Sequence, residues 1–343
     1  MSRRAATLLV AVAGVLIAII VATVAPVPYV ALMPGPTMNT LGSLSGKPLI
    51  QVRNHPIYPT KGNLNMVTVS LNGGPGSHFN IFGALRAWLS PHDAVVPVAE
   101  IFPPGQTSEE VAKEDIEEMA SSQETATAAA LCQLKINFRT VDTVEATVPG
   151  MPAAGVLHSG DVISAVDGNP VTCRSNVTTL IKAGKPGTPV ELTVLRHGQT
   201  EHVRLVTASS QGVPEIGVQV VESYVFPFNV SISVGNIGGP SAGLMFALGI
   251  IDKITPDNLT GGRFIAGTGE IEANGTVDPI GGIQQKMAGA RAAGATVFLS
   301  PAADCPDTAG SVPAGLQLIK VSSLAGAIAD LNDLKAGRPV SSC

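Results

Sequence analysis

The sequence predicts an α/β (α+β) protein in two domains behind one N-terminal membrane-spanning helix. Three observations carry that reading. Residues 5–25 hold no charge. Hydrophobic residues make up 45% of the 343 but aromatics only 4%, with 37 glycines and 26 prolines, which suits sheets and helices packed from small aliphatic side chains and joined by many turns. From about residue 131 to 208 the alternation of helix and strand patterns gives way to short β-branched runs broken by Gly, Pro and Asp, and then resumes. A chain of this length can bury two modest cores. The net charge of −5 and the lack of any basic run exclude a nucleic-acid groove, so no nucleic-acid partner is expected.

The uncharged stretch comes first. Its 21 residues, at roughly 1.5 Å each, are long enough to cross a hydrocarbon core of about 30 Å. Arg3 and Arg4 precede it and the next charge is Lys47, so the positive-inside rule leaves the N-terminus cytoplasmic and everything after Pro26 outside. A cleaved signal peptide is the rival reading. Such peptides carry an apolar core of about 7–15 residues, and the best exit here, Thr23-Val24-Ala25, runs straight into Pro26. The expectation is an uncleaved single-pass anchor over residues 1–30, meeting the membrane through 5–25. None of the four cysteines stands in a CxxC or other metal-ligand spacing, so no zinc, other metal or cofactor is expected. In an oxidising compartment an even count reads as two disulfides.

A strand is predicted at 64–71, ending in the turn "NGGPGS", and a helix at 81–89. Thr107 stands three residues before Glu110, a capping-box spacing that opens a helix to about residue 131. Its acids (Glu109, Glu110, Glu114, Asp115, Glu117, Glu118) read as a solvated face, since no histidine accompanies them. Residues 148–171, "VPGMPAAGVLHSGDVISAVDGNPV", read as strand end, short Ala-rich helix, turn, strand, tight Asp-Gly turn and strand start. A second helix follows in "SNVTTLIKAG" and a strand reaching a hairpin in "PVELTVLRHGQ". This order resembles the bacterial PDZ domain, on the strength of Pro152-Ala153-Ala154, Gly160-Asp161-Val162-Ile163 and Asp167-Gly168. The resemblance implies a module that adds an extended peptide, often a C-terminus, to an exposed sheet edge. The carboxylate-binding loop is expected at 134–139, facing the helix near Val177. That makes Leu134, Lys135, Ile136, Val177, Leu180 and Ile181 the candidate peptide-binding residues.

Strands are predicted near 216–220 and 230–234, followed by "GNIGGPSAGLMFALGII" at 235–251. Ser241 stands before an apolar run, where it can cap a helix, and Gly239 to Gly243 also formally match the G-x-S-x-G nucleophile elbow. All six histidines precede Ser241, which rules out the Ser, acid, His order of the α/β-hydrolases and disfavours an esterase. Lys286 offers another base. It falls in the first turn of a helix predicted at 283–293, among Ile283, Met287 and Ala290. The positive end of the helix dipole and partial burial both lower a lysine's pKa from about 10.4 toward the ~7–8 useful to a general base.

"GGPSAG" together with "GTGEI" and "PIGGIQQK" resembles the proteolytic domain of Lon-type serine peptidases, over roughly residues 216–323 and the early strand at 64–71. The resemblance implies a Ser-Lys dyad in which Ser241 is the nucleophile, Lys286 the base and Thr268 the lysine's support. Gly239, Pro240 and Ala242 would shape the backbone around the oxyanion, with Ser241 acting as helix cap and nucleophile together. Two departures stand out: Gly238 occupies a place often held by Asp, and no Walker A segment occurs, so ATP independence is expected. Anchor, PDZ domain and Lon-like domain together look like the YlbL-type membrane peptidases of Gram-positive bacteria, in which the PDZ domain is inserted in the peptidase fold. That implies an anchor at 1–30, peptidase at 31–124 and 210–343, and PDZ at 125–209. It implies an endopeptidase acting on extracytoplasmic proteins and peptides, in a homo-hexameric ring; the alternative is a catalytically inactive, membrane-tethered PDZ scaffold. With the domains so drawn, the expected disulfides are Cys132–Cys173 and Cys305–Cys343, each within one unit.

Overall fold

The structure, a computed structural model, describes residues 3–343. Helix α1 (Arg3–Val24) carries no charge after Arg4 and is long enough to cross a membrane. The elements that follow are β1 (Tyr29–Asn39), β2 (Asn63–Gly73), α2 (Ile81–Trp88), β3 (Ala94–Pro97), α3 (Ser108–Gln133), β4 (Arg139–Thr147), β5 (Val162–Val166), α4 (Val177–Lys182), β6 (Pro189–Arg196), β7 (Gln199–Val206) and β8 (Val218–Val225). The last part adds α5 (Gly243–Ile254), β9 (Phe264–Gly267), α6 (Ile283–Ala292), β10 (Val297–Pro301), β11 (Gln317–Val321) and α7 (Leu324–Lys335).

One sheet runs β11-β10-β9-β2-β1-β3. Strands β11, β10, β9 and β2 are parallel, and β1 lies antiparallel to β2 and β3. The first strands of the chain therefore complete a sheet whose other half lies some 200 residues later. Successive side chains leave the sheet on opposite faces. Leu64, Met66, Ile265 and Leu299 join the main core with α3, α5 and α7. Val67, Ala266 and Phe298 turn to the other face and pack under α6 with Ile283 and Met287.

The second sheet runs β7-β6-β5-β4-β8 around its own core of Val144, Leu157, Ile163, Leu192, Val194 and their neighbours. The buried Asp161 of the Gly-Asp-Val-Ile run makes a two-pronged ion pair with Arg196, at 2.8 and 2.7 Å. The PDZ-like unit is thus inserted between the two parts of the first sheet. Two of its edges differ from the expected cuts at 125 and 209. Helix α3 continues to Gln133 with its last turns in the main core, and the strand expected near 216–220 is β8, paired with β4. Strand partners are chosen across space, so a local pattern finds a strand without telling which sheet it joins.

The capping box at α3 forms as expected, with Glu110 N–H on Thr107 Oγ1 and Thr107 N–H on the Glu110 carboxylate. Both expected disulfides are present. The reason for one differs, because Cys132 sits in the buried last turn of α3. That link ties a helix of the main core to the PDZ-like unit, and Arg174 donates to the Cys132 carbonyl beside it.

Candidate active site

Helix α5 is apolar up to Asp252 and buried at every position except Lys253, so its start is a fixed point in the core. Ser241 lies two residues before it. Ala242, not Ser241, is the N-cap, and no side chain caps the helix. The expected double role is therefore corrected: the Ser241 hydroxyl faces Lys286, while its carbonyl accepts from Gly269 N–H (2.8 Å) and from the Thr268 hydroxyl (2.9 Å). The segment after β9 is thereby tied to the serine's own backbone.

Lys286 reaches the same point from α6. The N-cap of that helix, Gly282, has φ +70°, and a Cβ there would lie 2.7 Å from Val69. Glycine lets the helix start sit directly on strand β2. Lys286 is 4% exposed, with Nζ 2.9 Å from Ser241 Oγ and 3.2 Å from Thr268 Oγ1. Burial lowers its pKa to about 8, against the opposing pull of Asp304 and Glu270. Because the Thr268 hydroxyl hydrogen is spent on the Ser241 carbonyl, its oxygen is left to accept from Nζ. In the neutral amine the remaining lone pair can then accept the Ser241 proton.

Of the residues expected to shape the backbone around the oxyanion, Gly239 and Pro240 present no free N–H there. Gly239 N–H is engaged with the Asp115 carbonyl (3.3 Å), and proline has no N–H, so neither Gly239 nor Pro240 can donate to an oxyanion as placed. Among the described residues the N–H groups of Ser241 and Ala242 have no backbone acceptor. Helix α3 holds this loop a second time, through Ser122 Oγ donating to the Pro240 carbonyl at 2.8 Å. Sequence reasoning missed Asp115 and Ser122. No local signal marks them, since they act from more than a hundred residues away.

Gly238 has a physical explanation here. A Cβ on it would lie 2.3 Å from Asp115 Cβ, so the side chain of α3 occupies the space a side chain at 238 would need. Gly238→Ala is expected to push loop and helix apart and cost about tenfold or more in kcat, with Asp115→Gly as a second change restoring most of it. Equal activity of Gly238→Ala and the parent would refute this packing role.

The cleft in front of Ser241 holds about 560 Å³ and is walled by β2, Ile101, Asp115, Met119, the 236–242 loop and Glu270. Strand β9 pairs with β2 only as far as Met66, so β2 beyond it presents an edge in the cleft without a sheet partner on that side. An extended polypeptide could add there, as strands do at exposed edges. Among the described residues no histidine lines the cleft.

The candidate peptide-binding residues are split. Leu134 and Ile136 follow the end of α3 and pack on the main core, and Lys135 lies between them. Val177 and Ile181 are buried in the second core, and Leu180 is half-buried at its edge. The second sheet ends in β7 on one side and β8 on the other, and β8 is the edge strand beside β4. Tyr224 N–H turns outward to Glu124 and Gly217 C=O inward to Val148, so the backbone groups of Val218, Val220 and Glu222 point away from β4. Asn176, the N-cap of α4, donates to Glu222 of β8.

The family model described as the PDZ domain matches residues 134–207. That described as the Lon protease (S16) C-terminal proteolytic domain matches residues 230–330. The chain carries a PDZ domain and a Lon-type proteolytic domain. Lon protease 1 of Bacillus subtilis is 32% identical over 115 residues, 32% of this chain and 15% of that protein. Lon protease 1 of Sorangium cellulosum is 39% identical over 94 residues, 26% of this chain and 11% of its own length. The chain thus spans only a small fraction of the relatives it matches. The PDZ domain of the SdrC-like protein from Listeria monocytogenes is 28% identical, covering 23% of this chain and 86% of that one, with a TM-score of 0.22. The Lon-type match runs from before Ser241 to beyond Lys286, and the strands β1 and β2 that complete its sheet lie outside it.

Proposed function

We propose that the chain is a membrane-anchored, ATP-independent serine endopeptidase acting through Ser241 and Lys286 on extracytoplasmic polypeptides. The observation that carries this reading is a buried lysine, its pKa lowered to about 8, with its amine 2.9 Å from a serine hydroxyl in an open cleft. Neutral Lys286 takes the Ser241 proton as Oγ attacks the peptide carbonyl carbon. The ammonium then returns that proton to the leaving amine as the C–N bond breaks. A water, deprotonated by Lys286, attacks the acyl ester and restores Ser241. The unengaged N–H groups of Ser241 and Ala242 are the donors available to the developing oxyanion. A fluorophosphonate probe should label Ser241 alone, and an unfolded protein should be cut equally with and without ATP. Cleavage without labelling at Ser241 would defeat the assignment.

We further propose that the PDZ domain takes polypeptide C-termini along β8 and α4, in place of the 134–136 segment. The outward backbone groups of this edge strand and the bond from the α4 N-cap Asn176 to Glu222 support this. Val220→Pro removes an outward N–H while leaving the β4 ladder intact. It should slow cleavage of proteins with apolar C-termini several-fold and leave a short peptide substrate unaffected. Equal losses on both would make β8 part of the catalytic scaffold instead.

A further inference from the structure

Helix α2 is amphipathic the wrong way round for water. Its inner face is made of small residues: Ala87 is buried and Ala84 packs beside it against Ala31 and Phe79, while a Cβ on Gly83 would touch the Phe79 ring at 2.9 Å. Its outer face is bulky and apolar. Ile81, Phe82 and Leu85 are exposed, and Trp88 and the adjoining Leu89 are 73% and 75% exposed. A soluble surface helix puts its large apolar side chains inward, and a contiguous exposed apolar patch marks an interaction site.

The position of this face says what covers it. Asn80, the N-cap of α2, donates from Nδ2 to the Thr23 carbonyl in the last turn of α1, at 2.9 Å. The Val27 N–H donates to the Phe79 carbonyl at 2.8 Å, and Pro26 bridges to Asn80. The helix is therefore rooted where α1 ends, level with the surface of any bilayer that α1 spans. The exposed Tyr29 follows α1 by five residues. Trp88 is the only tryptophan in the chain, and Trp and Tyr are the side chains that favour the membrane–water boundary. Arg86, the one charge on α2, is on the exposed side with a stem long enough to reach the headgroups.

We propose that α2 lies in the membrane interface, with Ile81, Phe82, Leu85, Trp88 and Leu89 immersed in the bilayer that α1 spans. This rests on the reading of α1 as a membrane anchor. Two attachments at different points hold the peptidase in one orientation, where a lone helix followed by a short connection would let it swivel. The cleft is then kept near the membrane. Leu32, on its wall, is only seven residues beyond Ala25, a distance of at most about 25 Å. The substrate class that fits is a polypeptide segment presented close to the membrane surface.

The test uses the full chain reconstituted in phosphatidylcholine–phosphatidylglycerol vesicles, where all tryptophan emission comes from Trp88. Flotation reads the anchor, and quenching by lipids brominated near the headgroup end of the acyl chain reads α2. The expected result is protein that floats with the vesicles and loses most of its Trp88 emission to the brominated lipid, with little quenching by aqueous acrylamide. Leu85→Glu should float equally and be quenched less by lipid. Protein that floats while Trp88 is quenched by acrylamide and not by lipid would overturn the proposal and leave the anchor standing. Trp88 shielded from both quenchers would mean that a second protein copy covers the face, which also overturns it. Failure to float would remove the anchor reading and the docking of α2 with it.

Discussion

Lys286→Ala is expected to abolish peptide hydrolysis, by at least about a thousandfold, and adding Ser241→Ala should make it no worse, because the two groups act as a unit. The argument rests on geometry. Nζ has Ser241 Oγ and Thr268 Oγ1 as its hydrogen-bonded neighbours, in a site where the lysine is almost fully buried. Lys286→Arg should fail equally, since a guanidinium stays protonated and cannot accept the serine proton. The rate should depend on pH with a definite sign. The active form is the neutral amine, so with a pKa of about 8 the rate climbs through that value. At pH 6 it should be about a hundredfold below its plateau. Histidine-to-alanine changes should each be mild, as no histidine lines the cleft. The decisive comparison is made on one peptide substrate across the pH range. A dead histidine variant beside an active Lys286→Ala would end the Ser-Lys reading.

The second large effect is on stability. Asp142 is fully buried in the second sheet, where it accepts from Val177 N–H at 3.2 Å while its other oxygen has no partner. It faces Glu222 across the ladder, and Glu222 in turn accepts from Asn176 and Tyr224. Burial, aided by Glu222, raises the Asp142 pKa to about 6. A carboxyl that holds its proton more tightly when folded stabilises the fold below its unfolded pKa, near 4, and that stability is lost as pH rises through about 6. The loss at pH 7.5 should be about 2–3 kcal/mol. Asp142→Asn keeps the acceptor for Val177 and removes the charge. It should therefore be more stable than the parent by about 2 kcal/mol at pH 7.5 and equal to it below pH 4. Hydrogen exchange at Leu192 and Val194, in the core of that sheet, reads the opening of this unit alone. An advantage of the Asn variant that did not vary with pH would rule out titration of Asp142 as its source.

Features that depend on near neighbours in the chain were legible before folding. The Thr107–Glu110 cap, the helix beginning after Ala242 and the uncharged run of α1 follow from caps, turns and apolar spacing, which act over a few residues. The PDZ and Lon-type signatures were legible because each is a short contiguous run of residue types in fixed order. Pairing of the cysteines could also be read, although the ground for Cys132–Cys173 changed once α3 proved to run on into the main core.

Tertiary structure alone decided the rest. It assigned β8 to the second sheet as one of its two edge strands, and drew Leu134 and Ile136 into the main core. It also replaced Ser241 by Ala242 as the helix cap, engaged Gly239 N–H with Asp115, and filled the space beside Gly238 from α3. The face of α2 shows the limit most plainly. Its sequence contains both small and large apolar residues, and only the packing of Ala84 and Ala87 on Ala31 and Phe79 turns the large ones outward. Local propensity is set by a residue's own backbone and its immediate neighbours. Which surface meets which is set by contacts between segments far apart in sequence, and these exist only once the chain has closed on itself.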